Sequence, residues 1–360
     1  MEMDKDVLRN ATVQQLVQNK RRLIEVPCTA TVGDTLNVLL ANDVVAVPVA
    51  APPGQWIGAG GSMIVESDKS TGGVRKQYIG MVSVLDVLIH VSEEDESGEL
   101  DLEGKLSTPV SSIIGHSIEG LSLWTISPST SIYEALEPMS KGIHRALVPI
   151  ESHIEHATGV ELNESSPGYH MMTQTDLVQY IQHHAKELKP IISSSVVELG
   201  ALQHHVFAVP ADMKVMDAVK CMRNASLNAV AIVEASANEE KSSVISGIGR
   251  KLVGTFSASD LRGCTSDVLR AWSSLSVLEF SRKAFLARRY GFRNVLAANE
   301  MEESEMMKPV TCSLHTSLEE VISNALERHI RRIWVVDSKG HLEGLVALSD
   351  ILRAVRESTR

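Results

Sequence analysis

Four aspartates recur in one setting along this 360-residue chain, each at the end of a short apolar run and at the mouth of an amphipathic helix. They are Asp86 in Gly80-Met-Val-Ser-Val-Leu-Asp86, Asp176 in His170-Met-Met-Thr-Gln-Thr-Asp176, Asp260 in Gly254-Thr-Phe-Ser-Ala-Ser-Asp260 and Asp350 in Gly344-Leu-Val-Ala-Leu-Ser-Asp350. The intervals between them are 90, 84 and 90 residues, so one unit has been used four times. A carboxylate in the first turn of a helix accepts from backbone N–H groups that no intrahelical carbonyl reaches. A hydroxyl stands three residues earlier in three units (Ser83, Thr173, Ser257), and Ala347 replaces it in the fourth. Thr175 and Ser349, one residue before their aspartates, offer a partial substitute.

A second chemistry is basic. His144-Arg145 and Arg331-Arg332 each precede an apolar strand. Aligning the helices upstream puts the two doublets at equivalent places, matched by uncharged Val45-Ala46 and Asn228-Ala229 in the other units. Arginine suits anions because its planar fork makes paired, charge-assisted hydrogen bonds. Catalysis fits poorly. No histidine is placed by sequence to act as base for Ser83, Thr173 or Ser257, and no kinase, Walker or hydrolase-elbow signature occurs. The doublets His183-His184 and His204-His205 lack the i, i+4 spacing of helical metal ligands, so no metal site is expected.

These groups need strands and helices to hold them. In the fourth unit Thr316-Ser317-Leu-Glu319-Glu320 is a helix start, and Leu318, Val321, Ile322, Ala325 and Leu326 form one apolar face. Ile333-Trp-Val-Val336, the turn Asp337-Ser-Lys-Gly340 and the strand from Leu345 follow. The same face is written by Val32, Leu36, Leu39 and Leu40, by Ile132, Ala135, Leu136 and Met139, and by Val215, Ala218, Val219 and Met222. Each unit therefore reads strand–helix–strand–strand–helix, an α/β class built from small repeats. Hairpin insertions are expected at residues 50–77, 151–168 and 234–250, with an acidic linker at 93–103. The glycine run Gly58-Ala-Gly60-Gly61-Ser in the first insertion lacks the Lys-Ser/Thr and the helix of a phosphate loop. Val268, Leu269, Trp272, Leu275, Leu278 and Phe285 suggest a helical connector ending near Gly291.

The totals narrow the partners. A formal charge of −11 argues against nucleic acid or an anionic membrane surface as the main partner, although local basic clusters can bind a small anion. No run approaches 18 apolar residues, and Met1 leads directly into charged sequence, so neither a span nor a leader is expected. The four cysteines form no CxxC pair, which favours a reducing compartment, the cytoplasm or the nucleus.

With the repeated Gly-x-apolar-Ser/Thr-x-x-Asp signature in place, the chain resembles a protein of four CBS domains paired into two Bateman modules. Gly142-Ile-His144-Arg145-Ala-Leu-Val-Pro-Ile150 and Arg331-Arg332-Ile-Trp-Val-Val-Asp337 are most similar to the gamma regulatory subunit of the AMP-activated and sucrose-non-fermenting-related kinases. The insertion Ala50-Ala-Pro-Pro-Gly-Gln-Trp-Ile-Gly58 is similar to the plant gamma-like members. The resemblance implies CBS domains at residues 20–92, 107–186, 190–263 and 304–357, a connector at 264–303, and a disc-like, pseudo-symmetric assembly. It implies that Asp86, Asp176, Asp260 and Asp350 accept from the ribose hydroxyls of AMP, ADP or ATP, with Ser83, Thr173, Thr175, Ser257 and Ser349 beside them. His144, Arg145, Arg331 and Arg332 would grip the phosphates, although the family often has histidine at the place of Arg331. A charged hydrogen bond contributes about 1.5–3 kcal/mol and micromolar binding needs about 8 kcal/mol, so two doublets can support one or two such sites. The implied protein is a non-catalytic subunit without a bound cofactor, partnered by a kinase catalytic alpha subunit and a beta scaffold. The rival readings are a CBS scaffold that binds no nucleotide, a site for another adenosyl compound such as S-adenosylmethionine, and an enzyme of unrecognised type.

Overall fold

The computed structural model describes residues 6–52, 77–93, 101–117, 120, 123–150, 168–235, 243–258, 274–290 and 308–360. Asp260, the glycine run at 58–62 and most of the connector and insertions lie outside them.

The chain opens with two short helices, α1 (Asp6–Asn10) and α2 (Val13–Val17). The first repeat then runs β1 (Val26–Pro27), α3 (Val32–Ala41), β2 (Ala46–Ala50), β3 (Tyr78–Ser83) and α4 (Val84–Ser92). After α5 (Leu102–Ser107) and a 3-10 turn (Val110–Ile113), the second repeat has α6 (Ile132–Ser140), β4 (Arg145–Pro149), β5 (Tyr169–Thr173) and α7 (Gln174–His183). Helix α8 (Lys189–Ile192) leads to the third repeat: β6 (Phe207–Pro210), α9 (Val215–Asn224), β7 (Ala229–Val233), β8 (Ile245–Ser246) and β9 (Leu252–Ser257). Helix α10 (Val277–Tyr290) precedes the fourth: β10 (Thr311–Cys312), α11 (Leu318–Glu327), β11 (Arg332–Val336), β12 (Leu342–Ala347) and α12 (Leu348–Ser358). In repeats one and four the sheet is a parallel pair closed by an antiparallel hairpin. Repeat three adds β8 on the outer edge of β6, a strand placed within the expected insertion.

The four leading helices bury the faces the periodicity marks: Val32, Leu36 and Leu39; Ile132, Ala135, Leu136 and Met139; Val215, Ala218, Val219 and Met222; Leu318, Val321, Ile322 and Ala325. Hydroxyl caps start three of them, with Thr31, Ser131 and Ser317 accepting from the N–H of Asp34, Glu134 and Glu320. Each ends in a left-handed residue at the equivalent place: Asp43 (φ 49°), Gly142 (φ 97°), Ser226 (φ 54°) and His329 (φ 52°). After three of these the next N–H reaches back to close the helix, Val44 to Leu39, Leu227 to Met222 and Ile330 to Ala325. The turn thus delivers residues 45, 144, 228 and 331 to the start of the middle strand in the same orientation.

Sheets join repeats within a module, and helices join the modules. Tyr78 of repeat one meets Tyr169 of repeat two edge to face at 5.9 Å. Trp334 of repeat four is buried among Val206, Ala208, Ala231 and Val233 of repeat three, and its indole N–H donates to Thr255 Oγ1 at 2.7 Å. Helix α4 packs on α9, giving repeats one and three a common core, while α12 packs on α6 and α7, giving repeats two and four another. The contacts close a ring in the order one, two, four, three. A buried Leu, Ile or Met contributes about 1.5–3 kcal/mol, so these shared cores hold the modules together far more firmly than any surface ion pair. Helix α10 buries Val277, Phe280 and Ala284, with Phe280 edge to face on Phe256. Leu275, just ahead of the helix, and Leu278, both singled out by the sequence, pack partly buried against the same core, and Phe280 joins them as the aromatic partner of Phe256.

Candidate functional site at the strand-to-helix junctions

One hydrogen bond is repeated four times where the last strand of a repeat turns into its helix. The carbonyls of Val45, His144, Asn228 and Arg331 accept from the N–H groups of Val84, Gln174, Ala258 and Leu348 at 3.0, 3.2, 2.9 and 3.0 Å. The following residues are ladder partners of the hydroxyl positions: Ala46 with Ser83, Arg145 with Thr173, Ala229 with Ser257 and Arg332 with Ala347. Cation position and hydroxyl position thus face each other across one antiparallel pair, and in the three repeats whose aspartate is described it stands on the next helical turn.

In repeat two Arg145 is buried (9% exposed) and His144 half-buried. Asp176 accepts from Thr173 N at 2.7 Å and Thr173 Oγ1 at 2.9 Å. It also accepts from Lys20 Nζ at 2.6 Å, and that ammonium donates to the carbonyl of Met171 at 2.8 Å. In repeat four Asp350 accepts from Gln203 Nε2 at 2.7 and 2.9 Å, from Ala347 N at 2.9 Å and from Arg353 at 3.0 Å. Burial raises the pKa of Asp350, opposed by Gln203, the Ala347 amide and the charges of Arg353 and Arg332. The Arg332 guanidinium reaches across the module to the carbonyl of Ala229, the register partner of Ser257. Arg332 therefore ties repeat four to the middle strand of repeat three beside Asp350, whose carboxyl feels its charge.

Repeat one has the same backbone and different chemistry. Asp86 has no exposed surface; it accepts from Ser83 N at 2.8 Å, Ser83 Oγ at 2.5 Å and the Ser117 amide at 2.6 Å. Burial pushes its pKa up, against the pull of these donors. A side chain at Gly120 would stand 2.8 Å from the carbonyl of Met81, so the covering segment lies directly on the strand.

The structure thus gathers Asp86 with Ser83, Asp176 with Thr173 and Asp350 with Arg332. Thr175 and Ser349 sit half-buried in the first turns of α7 and α12 beside those aspartates. The histidine doublets stay apart from the junctions: His184 stacks on Tyr180, and His204 and His205 are exposed. Sequence reasoning missed Lys20, Gln203 and Ser117, the donors that cross from the lead-in segment of one repeat to the aspartate of its module partner. Lys20 and Gln203 both lie a few residues ahead of a module's first strand, and that shared position was the signal available.

Four sheet–helix repeats, paired through sheets and ringed through helices, define a four-repeat CBS protein, and the CBS domain family matches residues 303–357. Over 347 residues, 96% of this chain and 94% of the relative, the sequence is 49% identical to SNF1-related protein kinase regulatory subunit gamma-like PV42b of Arabidopsis thaliana. It is 46% identical to PV42a of the same plant over 361 residues, covering 99% and 97%. The 5'-AMP-activated protein kinase subunit gamma of Kluyveromyces lactis is 22% identical across 97% of this chain and 89% of its own. A crystal structure from Methanocaldococcus jannaschii, described as a candidate archaeal homologue of g-AMPK, shares the fold at a TM-score of 0.57 and 16% identity, covering 95% of this chain and 99% of that one. The chain belongs to the family of SNF1-related protein kinase regulatory subunits of the gamma-like type.

Proposed function

We propose that this chain is a non-catalytic gamma-type subunit that assembles with a kinase catalytic subunit and its beta scaffold, and that its even-numbered repeats bind adenine nucleotide. The observation that carries the reading is the common placement of Arg145, Thr173 and Asp176 in one repeat and Arg332, Ala347 and Asp350 in another. A ribose diol donating to the aspartate would leave its phosphates on the side where the guanidinium begins its strand. Ser257 and Asn228 would complete the seam beside Arg332, while repeat one, with no cation at Ala46, contributes none. The ligand must displace Lys20 or Gln203 from the carboxylate, so binding and the lead-in segments of the two modules are coupled.

The nucleotide-free scaffold remains the second reading, favoured by the fact that all three described aspartates already accept from the chain itself. Calorimetric titration of the purified chain with AMP and with ATP separates the two. Saturable binding in wild type is the expected result, with the repeat-two site lost in Arg145→Ala, the repeat-four site lost in Asp350→Ala, and no binding left when the two substitutions are combined. Absence of saturable binding in folded wild type would leave the scaffold.

A further inference from the structure

The segment that lays the Ser117 amide on Asp86 also carries His116, and His116 meets His90 and Glu93 at the C-terminal end of α4. One ligand atom from each of the three residues lies within 4.8 Å of the other two. His90 Nδ1 is 4.0 Å from Glu93 Oε2, and His116 Nε2 is 3.6 Å from Glu93 Oε1. The second nitrogen of each ring is already committed. His90 Nε2 lies 3.0 Å from Thr108 Oγ1, and that hydroxyl donates its own proton to the carbonyl of Lys105 at 2.7 Å. Thr108 must therefore accept, so Nε2 of His90 is assigned the proton. His116 Nδ1 lies 2.9 Å from the carbonyl of Ile113, which can only accept, so Nδ1 carries the proton there. In the neutral rings the lone pairs are left on the two nitrogens that face Glu93. Outer hydrogen bonds to a carbonyl or other acceptor orient metal-ligating histidines in this way.

The carboxylate is also supported. Arg223 of α9 donates to Glu93 Oε1, and a carboxylate has a second oxygen and enough lone pairs to serve a metal as well. The side chains of His90, His116 and Glu93 are 13%, 16% and 35% exposed, so the cluster is largely sheltered and Glu93 opens it to solvent.

We propose that His90, Glu93 and His116 form a three-ligand site for a divalent transition metal of the zinc type, with one coordination position open, and that the ion fastens the 110–117 segment to α4. Imidazole with carboxylate selects zinc-like ions, whereas magnesium and calcium take sets of oxygens. Zinc–nitrogen bonds of about 2.0–2.1 Å place tetrahedral ligands about 3.3 Å apart, so the three atoms need only draw together by rotation of their side chains. The consequence lies one residue further on: an ion held by His116 keeps the neighbouring Ser117 amide on Asp86 and the junction of repeat one shut. Through Arg223 the same ion stiffens the seat of repeat three on repeat one.

The test is calorimetric titration of the full chain with Zn²⁺ and separately Mg²⁺, with Co²⁺ absorption as a report of coordination geometry. Wild type is expected to bind one equivalent of zinc with no response to magnesium, and cobalt should give the intense visible bands of a four-coordinate site. His116→Gln and His90→Gln should each weaken zinc binding by at least about tenfold, while the double exposed substitution His204→Gln, His205→Gln leaves it unchanged. Zinc should also slow hydrogen exchange at the Ser117 amide in wild type only. Should a histidine variant fail to fold, Glu93→Gln at the exposed edge of the cluster gives the same reading. Absence of zinc uptake by wild type, or equal uptake by these variants, overturns the proposal.

Discussion

The junctions of repeats one and two share a backbone and differ in who answers the aspartate. In repeat two the answer is a side chain, Lys20, which is 29% exposed and can swing away. In repeat one it is main chain, the Ser117 amide, and Asp86 is wholly enclosed. Repeat four lies between them, with Gln203 on Asp350. The cation position follows the same division, alanine at Ala46 and arginine at Arg145 and Arg332. The repeat without a cation at that place has its aspartate closed by backbone. The two repeats with an arginine there have their carboxylates met by side chains, Lys20 and Gln203. Duplication preserved the geometry, and a few positions around it decide whether an aspartate is met by main chain or by a side chain.

The difference can be broken most forcefully at Asp86. Replacing it with alanine strands three buried donors, the Ser83 amide, the Ser83 hydroxyl and the Ser117 amide, and should cost about 2–4 kcal/mol in urea unfolding. A loss as small as that of an exposed substitution would show that repeat one is not sealed by these bonds. Gly120→Ala acts on the cover itself, since the new methyl would meet the Met81 carbonyl at 2.8 Å and the Gly115 amide at 2.9 Å. An expected cost of about 1–3 kcal/mol accompanies faster exchange at the Ser117 amide. Lys20→Ala should be mildest, about 1 kcal/mol, because the Thr173 amide and hydroxyl still donate to the carboxylate. It should still speed exchange at the Thr173 amide, which donates to the carboxylate that Lys20 orders. If Lys20→Ala proved as damaging as Asp86→Ala, the distinction between a sealed junction and a coverable one would vanish.

Most of the architecture was legible in the chain. The placing of Asp86, Asp176 and Asp350, the four apolar helix faces and the alignment of His144-Arg145 with Arg331-Arg332 each reappear as matching elements, caps and ladder pairs. They were legible because they are local: helix periodicity and capping depend on residues within a few positions. The cluster of His90, Glu93 and His116 was half visible, since His90 and Glu93 are three apart at a helix end, while His116 arrives from a segment with no periodicity of its own. Phe280 of α10 was hidden for a similar reason, its burial depending on Phe256 in another element.

The sequence by itself determined that there are four copies, which face of each helix turns inward, and where a cation can stand. Only the tertiary structure decided which copies touch, joining one with three and two with four through helices, and which distant residue occupies each aspartate. The reason is physical. Hydrogen-bond donors such as Lys20, Gln203 and the Ser117 amide act over about 3 Å of space, and between 31 and 156 residues of chain separate them from the carboxylates they satisfy.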